Sequence, residues 1–306
     1  MSLHPVLDEL LELRHQARAL GLRSHHPVNS ALAGLYASVF RGQGLDFDEV
    51  REYREGDDIR NMDWKITART NSPHLKIYRE ERERTVMLCV ERSPYMDFGT
   101  RGTFKSIQAA RAAALLGWSA SQHQDRVGGL LFGEGESGLT HFRPGRGRRS
   151  LWRLLRALTE PRVPSGEEAD SVRNLMGRLA MVTPTGSLIF IIGAFEESFE
   201  ALEQGLSGLC RSHDVVLIPV DDPADRELPS MGKMIFTAAD GRELELDTGS
   251  EAGRERFRQQ WEERREQLRQ LTNRLGIVMI PLETRQDVHR ALLDGLRLQA
   301  KRRAWR

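Results

Sequence analysis

A chain of 306 residues, 39% hydrophobic and 29% charged, is long enough for one generous α/β domain, alone or with a small appended module, and can bury a core without disulfide staples. Its 45 basic and 44 acidic residues leave a formal charge of +1, which excludes the global positive field that nucleic-acid and anionic-membrane binders use. The two cysteines, Cys89 and Cys210, lie in or beside apolar runs and read as small buried hydrophobes of a reducing compartment.

The N-terminal stretch MSLHPVLDELLELRHQARAL is too charged for a signal peptide. Within residues 5–20, Val6, Leu7, Leu10, Leu11 and Leu13, extended by Leu20, fall at near-helical spacing and predict a short amphipathic helix. From Gly42 to Arg84 about half the positions are charged, with both signs mixed and only small apolar clusters such as Trp64 with Ile66 and Leu75 with Ile77. That composition predicts a charged β and loop module laced with ion pairs.

After Arg84 a different rhythm begins. Apolar runs at 85–90, 126–132, 187–192, 214–220 and 276–282 alternate with helical patterns at 104–122, 148–158, 170–181, 198–212, 251–275 and 285–300. Continuous apolar strands separated by helices mark a mostly parallel sheet covered on both faces, a doubly wound α/β fold. Two hairpins interrupt the alternation: Asp240-Gly241 sits between the alternating halves of 232–247, and Glu134 to Phe142 forms a strand pair near the sheet edge. In helix 251–275, Phe257, Trp261, Leu268, Leu271 and Leu275 share one face and predict core packing against the sheet. The longest apolar stretch, Leu188 to Ile192, is far short of the ~20 residues that span a bilayer. The expectation is therefore a cytoplasmic protein with no membrane insertion, organised as a helical segment at 1–41, the charged module at 42–84 and an α/β domain at 85–306.

In open α/β sheets ligands bind beyond the carboxyl ends of the strands, at the point where the winding changes direction. That directs attention to Glu91-Arg92-Ser93-Pro94-Tyr95, directly after the first apolar run. The segment resembles the opening of a von Willebrand factor A domain, where D-x-S-x-S supplies oxygen ligands to a divalent cation. Upstream, Arg51, Tyr53, Gly56, Asp57, Asp58, Arg60, Asp63, Trp64, Thr67, Ala68 and Arg69 stand in one register. This block resembles the signature of the bacterial family called domain of unknown function 58, which joins it to a von Willebrand A-like domain.

The resemblance implies a von Willebrand A-like fold and a role beside MoxR-type AAA+ ATPases in assembling or activating other complexes. It also implies two N-terminal membrane helices in many members, which this sequence lacks. The departures fall on the cation ligands. Glu91 stands for the first aspartate and Tyr95 for the second serine, Ser93 alone is retained, and Ala194 replaces the second acid. A hard cation wants several oxygens in near-octahedral geometry, and Ala194 offers none. The expectation is a degenerate adhesion site with no resident cofactor or metal, in which Glu91 pairs with Arg92 or another basic neighbour and Tyr95 fills the emptied space. A magnesium or manganese ion reached by Glu91, or by Glu196 from two positions on, is the competing reading, and with it a cation-dependent binding domain. Asp221, after the run at 214–220 beside Asp222, is a further candidate for the same edge.

Within the signature, Asp57 and Asp58 are read as turn caps or partner contacts, Asp63 as an acceptor from Arg60 or backbone amides, and Trp64 as packed inward in preference to an exposed anchor for a partner. The sequence holds no G-x-S-x-G, H-E-x-x-H or phosphate-cradling loop, so a non-enzymatic protein-binding adaptor is expected rather than a hydrolase. The basic runs Arg143–Arg149 and Lys301–Arg306 are read as solvated faces or as helix C-terminal charges that complement the dipole, and nucleic acid is not the expected partner.

Overall fold

A computed structural model of the chain describes residues 4–17, 45–54, 57–58, 62–70, 72–80, 84–134, 138–162, 171–196, 199–237 and 243–304. Two compact units emerge, one formed by the described residues before 36 together with those from Arg84 onward, the other by those between.

The smaller unit pairs β1 (Leu45–Glu52) with β2 (His74–Glu80) in an antiparallel ladder, with a helical turn pair α2 (Trp64–Thr70) between them in sequence.

In the larger unit α1 (Leu7–Ala17) precedes β3 (Thr85–Glu91), α3 (Lys105–Gln122), β4 (Arg126–Phe132), β5 (Leu139–Gly145), α4 (Arg148–Thr159) and α5 (Ser171–Val182). Then follow β6 (Leu188–Gly193), α6 (Phe199–Leu209), β7 (Asp214–Asp221), the single turn α7 (Pro223–Arg226), the hairpin strands β8 (Lys233–Thr237) and β9 (Glu243–Asp247), α8 (Glu251–Leu275), β10 (Val278–Met279), β11 (Leu282–Glu283) and α9 (Val288–Ala304). The central sheet runs β10-β7-β6-β3-β4-β5, with β11 also on β7; every pairing is parallel except that of the edge strand β5 with β4.

Continuous apolar runs become the inner strands because both faces of the sheet are covered. Met87 and Cys89 join one apolar cluster with Leu175, Leu206 and Leu268 of the helices on one side. On the other side, Leu88 faces Gly117 of α3, where an added Cβ would lie 3.1 Å from it and 2.4 Å from Leu151 of α4. The N-terminal helix belongs to this layer too: Trp118 Nε1 of α3 donates to the Leu10 carbonyl at 2.9 Å, and Arg111 Nε reaches Glu9 at 2.6 Å.

Four expectations need correction. The strand expected at 276–282 is split into β10 and β11, because Pro281 has no amide to give the ladder. In α8, Leu268 and Leu271 are buried as expected, but Phe257, Trp261 and Leu275 are only partly covered. For the run Arg143–Arg149 the solvated reading holds, its arginines being exposed, but the helix C-terminal one does not: Arg148 and Arg149 open α4, where positive charge opposes the macrodipole. Cys210 is half-buried rather than buried, while Cys89 is enclosed; both are free thiols, with burial pushing Cys210 up to about 11 and Cys89 higher still. The hairpin at 232–247 is present as β8 and β9, its Asp240-Gly241 turn lying outside the described residues. Among those residues no helix is long and apolar enough to cross a membrane.

Candidate functional site

The winding changes direction between β3 and β6: the chain goes from β3 outward to β4, then returns to pair β6 on the other side of β3. Glu91 ends β3 and Ala194 follows β6, so this crevice is where an α/β sheet places its ligand.

What occupies it is the protein itself. Glu91, 3% exposed, accepts a short hydrogen bond from the Ser93 hydroxyl on one oxygen. Its other oxygen accepts the backbone amides of Ala194 at 2.8 Å and Phe195 at 3.4 Å. Gly193 makes that reach possible, since an added Cβ there would sit 2.2 Å from Glu91 Oε2. Phe195 carries a left-handed φ of 56°, a conformation that costs a bulky residue free energy and is held by its surroundings.

From the other side comes Arg265 of α8, a residue that sequence reasoning missed. Its guanidinium takes both oxygens of Asp221 at the end of β7, Nε at 3.2 Å and Nη2 by a shorter bond, and Nη2 also donates to the Ala194 carbonyl at 3.0 Å. Trp261, one turn earlier, stacks on it with the ring centre 5.7 Å from Cζ. Residue 194 is thus clamped through its amide by a carboxylate and through its carbonyl by a cation. Burial raises the Asp221 carboxyl above its ordinary value, although Arg265 pulls it down. Spacing from Trp261 and Leu268 places Arg265 beside the apolar stripe of α8, but Arg264 shares that placement, so the sequence does not distinguish it.

These residues do not fit a divalent cation. The oxygens of Glu91 are turned to amides and a hydroxyl, Ala194 contributes none, and a guanidinium already neutralises Asp221. Glu196 is taken by Arg264 at 2.6 Å and lies 3.7 Å from Arg265. Among the described residues no group of three or more His, Cys, Asp or Glu side chains is placed to hold a metal.

Two expected contacts are corrected. Arg92 does not pair with Glu91; it bonds Glu134 at 2.9 Å and the carbonyls of Ala157 and Glu160. Tyr95 does not fill the site but stands 52% exposed on the rim, because in the 3-10 turn Pro94–Met96 it is Met96 that turns inward.

Beside the clamp lies a second network that the sequence did not reveal. Asp222 accepts from Thr100 Oγ1 and Thr284 Oγ1, each at 2.5 Å, and from the amides of Thr100 and Ala224. Asp225 closes a capping box with it and takes Lys105 Nζ at 2.7 Å. Burial raises the Asp222 carboxyl, but the donated hydrogen bonds outweigh it and leave the group below its ordinary value.

In the smaller unit, Asp57 accepts from Arg51 at 2.7 Å and from the Arg54 amide at 2.8 Å, capping a turn, and the Arg51 bond leads in holding its carboxyl low. Asp63 is buried and caps α2 by accepting the amides of Lys65 at 3.0 Å and Ile66 at 3.1 Å. The Tyr53 amide donates to the Pro73 carbonyl, and Asp58 and Arg69 are exposed. Trp64 is not packed inward: as the first residue of α2, after a capping aspartate, it is 67% exposed. Gly56 and Arg60 lie outside the described residues.

An open, mostly parallel α/β sheet whose crevice is closed by a carboxylate, a backbone segment and an internal guanidinium defines the class. The family described as "Protein of unknown function DUF58" matches residues 49–267, and the chain belongs to it. It is 29% identical over 290 residues to the uncharacterized protein Rv1480 of Mycobacterium tuberculosis, covering 94% of this chain and 88% of that one. Similar solved structures include the conserved hypothetical protein BatB from Bacteroides thetaiotaomicron, with 13% identity, TM-score 0.46 and coverage of 71% of this chain and 99% of that one. Another, described as von Willebrand factor type A from Catenulispora acidiphila, has 10% identity and a TM-score of 0.38, covering 73% and 43% of the respective chains.

Proposed function

We propose that this protein is a non-enzymatic, cytoplasmic scaffold whose von Willebrand A-like domain binds a protein partner, a MoxR-type AAA+ ATPase, through the rim of its sealed crevice without needing a cation. The observation that carries this reading is the Arg265 guanidinium seated on Asp221 and the Ala194 carbonyl. A fixed internal cation supplies the positive charge that a bound metal would otherwise bring to such an edge. The rim it leaves consists of exposed Tyr95 and partly exposed Glu196; in the signature unit, exposed Trp64 and Arg69 are a separate candidate surface. At the crevice, room for a substrate is scarce: the cavity against Arg264, Arg265 and Phe195 holds about 10 Å³, the space of a single water. The larger hollow of about 470 Å³ between α5 and α6 is lined by Gly177, Ala180, Gly205, Gly208 and their neighbours, with no carboxylate among its described lining residues.

Tagged protein recovered from its native host, with and without chelator, tests the proposal. An AAA+ ATPase identified in the eluate, retained in EDTA and lost in Tyr95→Ser with Glu196→Ala, is the expected result. Loss of that ATPase on chelation, or recovery of nucleic acid in its place, would overturn it.

A further inference from the structure

The near-neutral chain hides one strongly cationic face. From Gly138 to Thr159 there are six arginines and no Asp or Glu. Arg143 and Arg146 lie at the end of β5, and Arg148, Arg149, Arg153 and Arg156 stand on the exposed side of α4, whose other side buries Leu151, Leu154, Leu155 and Leu158. Trp152 is set among them, 37% exposed, with Arg156 Cζ 5.4 Å from its ring centre.

Local physics does not favour this arrangement. Arg148 and Arg149 open the helix, where cations oppose the dipole, and α4 has no acidic residue in its first turn. Its N-cap is Gly147 at φ 74°, with no side-chain cap. Arg149 and Arg153 are like charges at i and i+4. Burial holds His141 of β5 below its ordinary value, and the fields of Arg178 and Arg143 add to it. Only Arg156 follows the local rules, in the last turn and 3.5 Å from Glu160; a site where most of them are set against stability is where recognition is to be sought.

We infer that the exposed face of α4, with the end of β5, is a docking surface for an acidic, Asp/Glu-rich segment of a protein partner. Trp and Arg anchors together are the composition of protein interface hot spots. The formal charge of +1 withholds the long-range field on which nucleic-acid binding rests. Arg148, Trp152 and Arg156 form one row at four-residue spacing, about 12 Å long at the α-helical rise, which carboxylates at the same spacing on an acidic helix match. The helix starts at the edge of the sheet opposite Glu91, where Gly145 pairs with Val127, and its last turn is held by Arg92 through the Ala157 and Glu160 carbonyls, so it is the end bearing Arg143 to Arg149 that stands away from the sealed crevice.

The test is fluorescence anisotropy of the full chain with a labelled Glu-rich peptide of about sixteen residues carrying two leucines, beside its Gln counterpart, a single-stranded oligonucleotide and phosphatidylserine vesicles. Expected are binding of the Glu peptide alone, weakening by about tenfold or more between about 50 and 300 mM salt, and a loss of about tenfold or more in Arg149→Glu with Arg153→Glu. That double variant exchanges one like-charge pair for another but places an acid in the first turn, where the dipole favours it, so it should melt within a few degrees of the wild type, and the melt shows that its lost binding is not a folding defect. Trp152→Ala should weaken the peptide severalfold. No binding of the Glu peptide, unchanged affinity in the charge-reversed variant, or tighter binding of the oligonucleotide or the vesicles would overturn the inference.

Discussion

Gly193 is the position at which the sealed crevice is most exposed to a single methyl group. In Gly193→Ala the new Cβ would lie 2.2 Å from Glu91 Oε2 and 2.8 Å from Glu91 Cβ. The carboxylate must then swing away, and the buried amides of Ala194 and Phe195 lose their acceptor. Each buried donor left unmade costs about 1–3 kcal/mol, against roughly 0.4–1 kcal/mol that alanine contributes by narrowing the unfolded chain. A net loss of about 2–4 kcal/mol follows. In a Glu91→Ala background the amides have already lost their acceptor and the 2.2 Å conflict has gone, leaving the 2.8 Å approach of Cβ. The same substitution should there cost about 1 kcal/mol, a coupling of roughly 1–3 kcal/mol for residues in direct contact. Urea unfolding of the four proteins, followed by far-UV circular dichroism, reads it out. Costs that add to within about 0.5 kcal/mol would refute the clamp.

Arg265→Met strands the buried Asp221 carboxylate and should destabilise by about 3–5 kcal/mol, with Asp221→Asn added in the same chain recovering part of the loss; denaturation midpoints decide, and equal instability of the single and double variants would contradict the pairing. Asp222 has a folded-state value below its ordinary 3.8, so its contribution is present above that value and is lost as pH falls through the lower, folded one. Thr284→Val removes one donor to it and should narrow the stability difference between neutral and acid solution; an unchanged difference would count against this assignment. Trp64→Ala, at a site 67% exposed, should change stability by less than about 1 kcal/mol, and a loss of several times that in thermal melts would restore the inward packing that the sequence suggested.

Much of the sheet was legible because burial on both faces forces continuous apolar runs such as Val86 to Val90 and Leu188 to Ile192. The ends of α8 were legible as well, since Ser250 caps its amides and Gly276 takes the left-handed conformation past its last turn. The position of the crevice followed from where β3 ends, but its contents did not. Arg265 is one of several arginines in a helix dense with Arg and Glu, and no local signal says which of them turns inward. That Tyr95 faces out while Met96 faces in depends on one 3-10 turn, and the outward face of Trp64 on the capping of α2 by Asp63. Composition reports neither. Arg148 and Arg149 were visible as a basic run, yet their sense changed once β5 proved to end at Gly145 and the helix to begin directly after it.

Calorimetric titration of the full-length wild-type protein with manganese probes the internal cation most directly, with Arg265→Ala as the comparison. No saturable heat in the millimolar range is expected from the wild type, because the guanidinium already holds Asp221 and the backbone amides hold Glu91. Tight, stoichiometric manganese binding by the wild type that disappears in Glu91→Ala would contradict the sealed crevice and the cation-independent partner binding built on it.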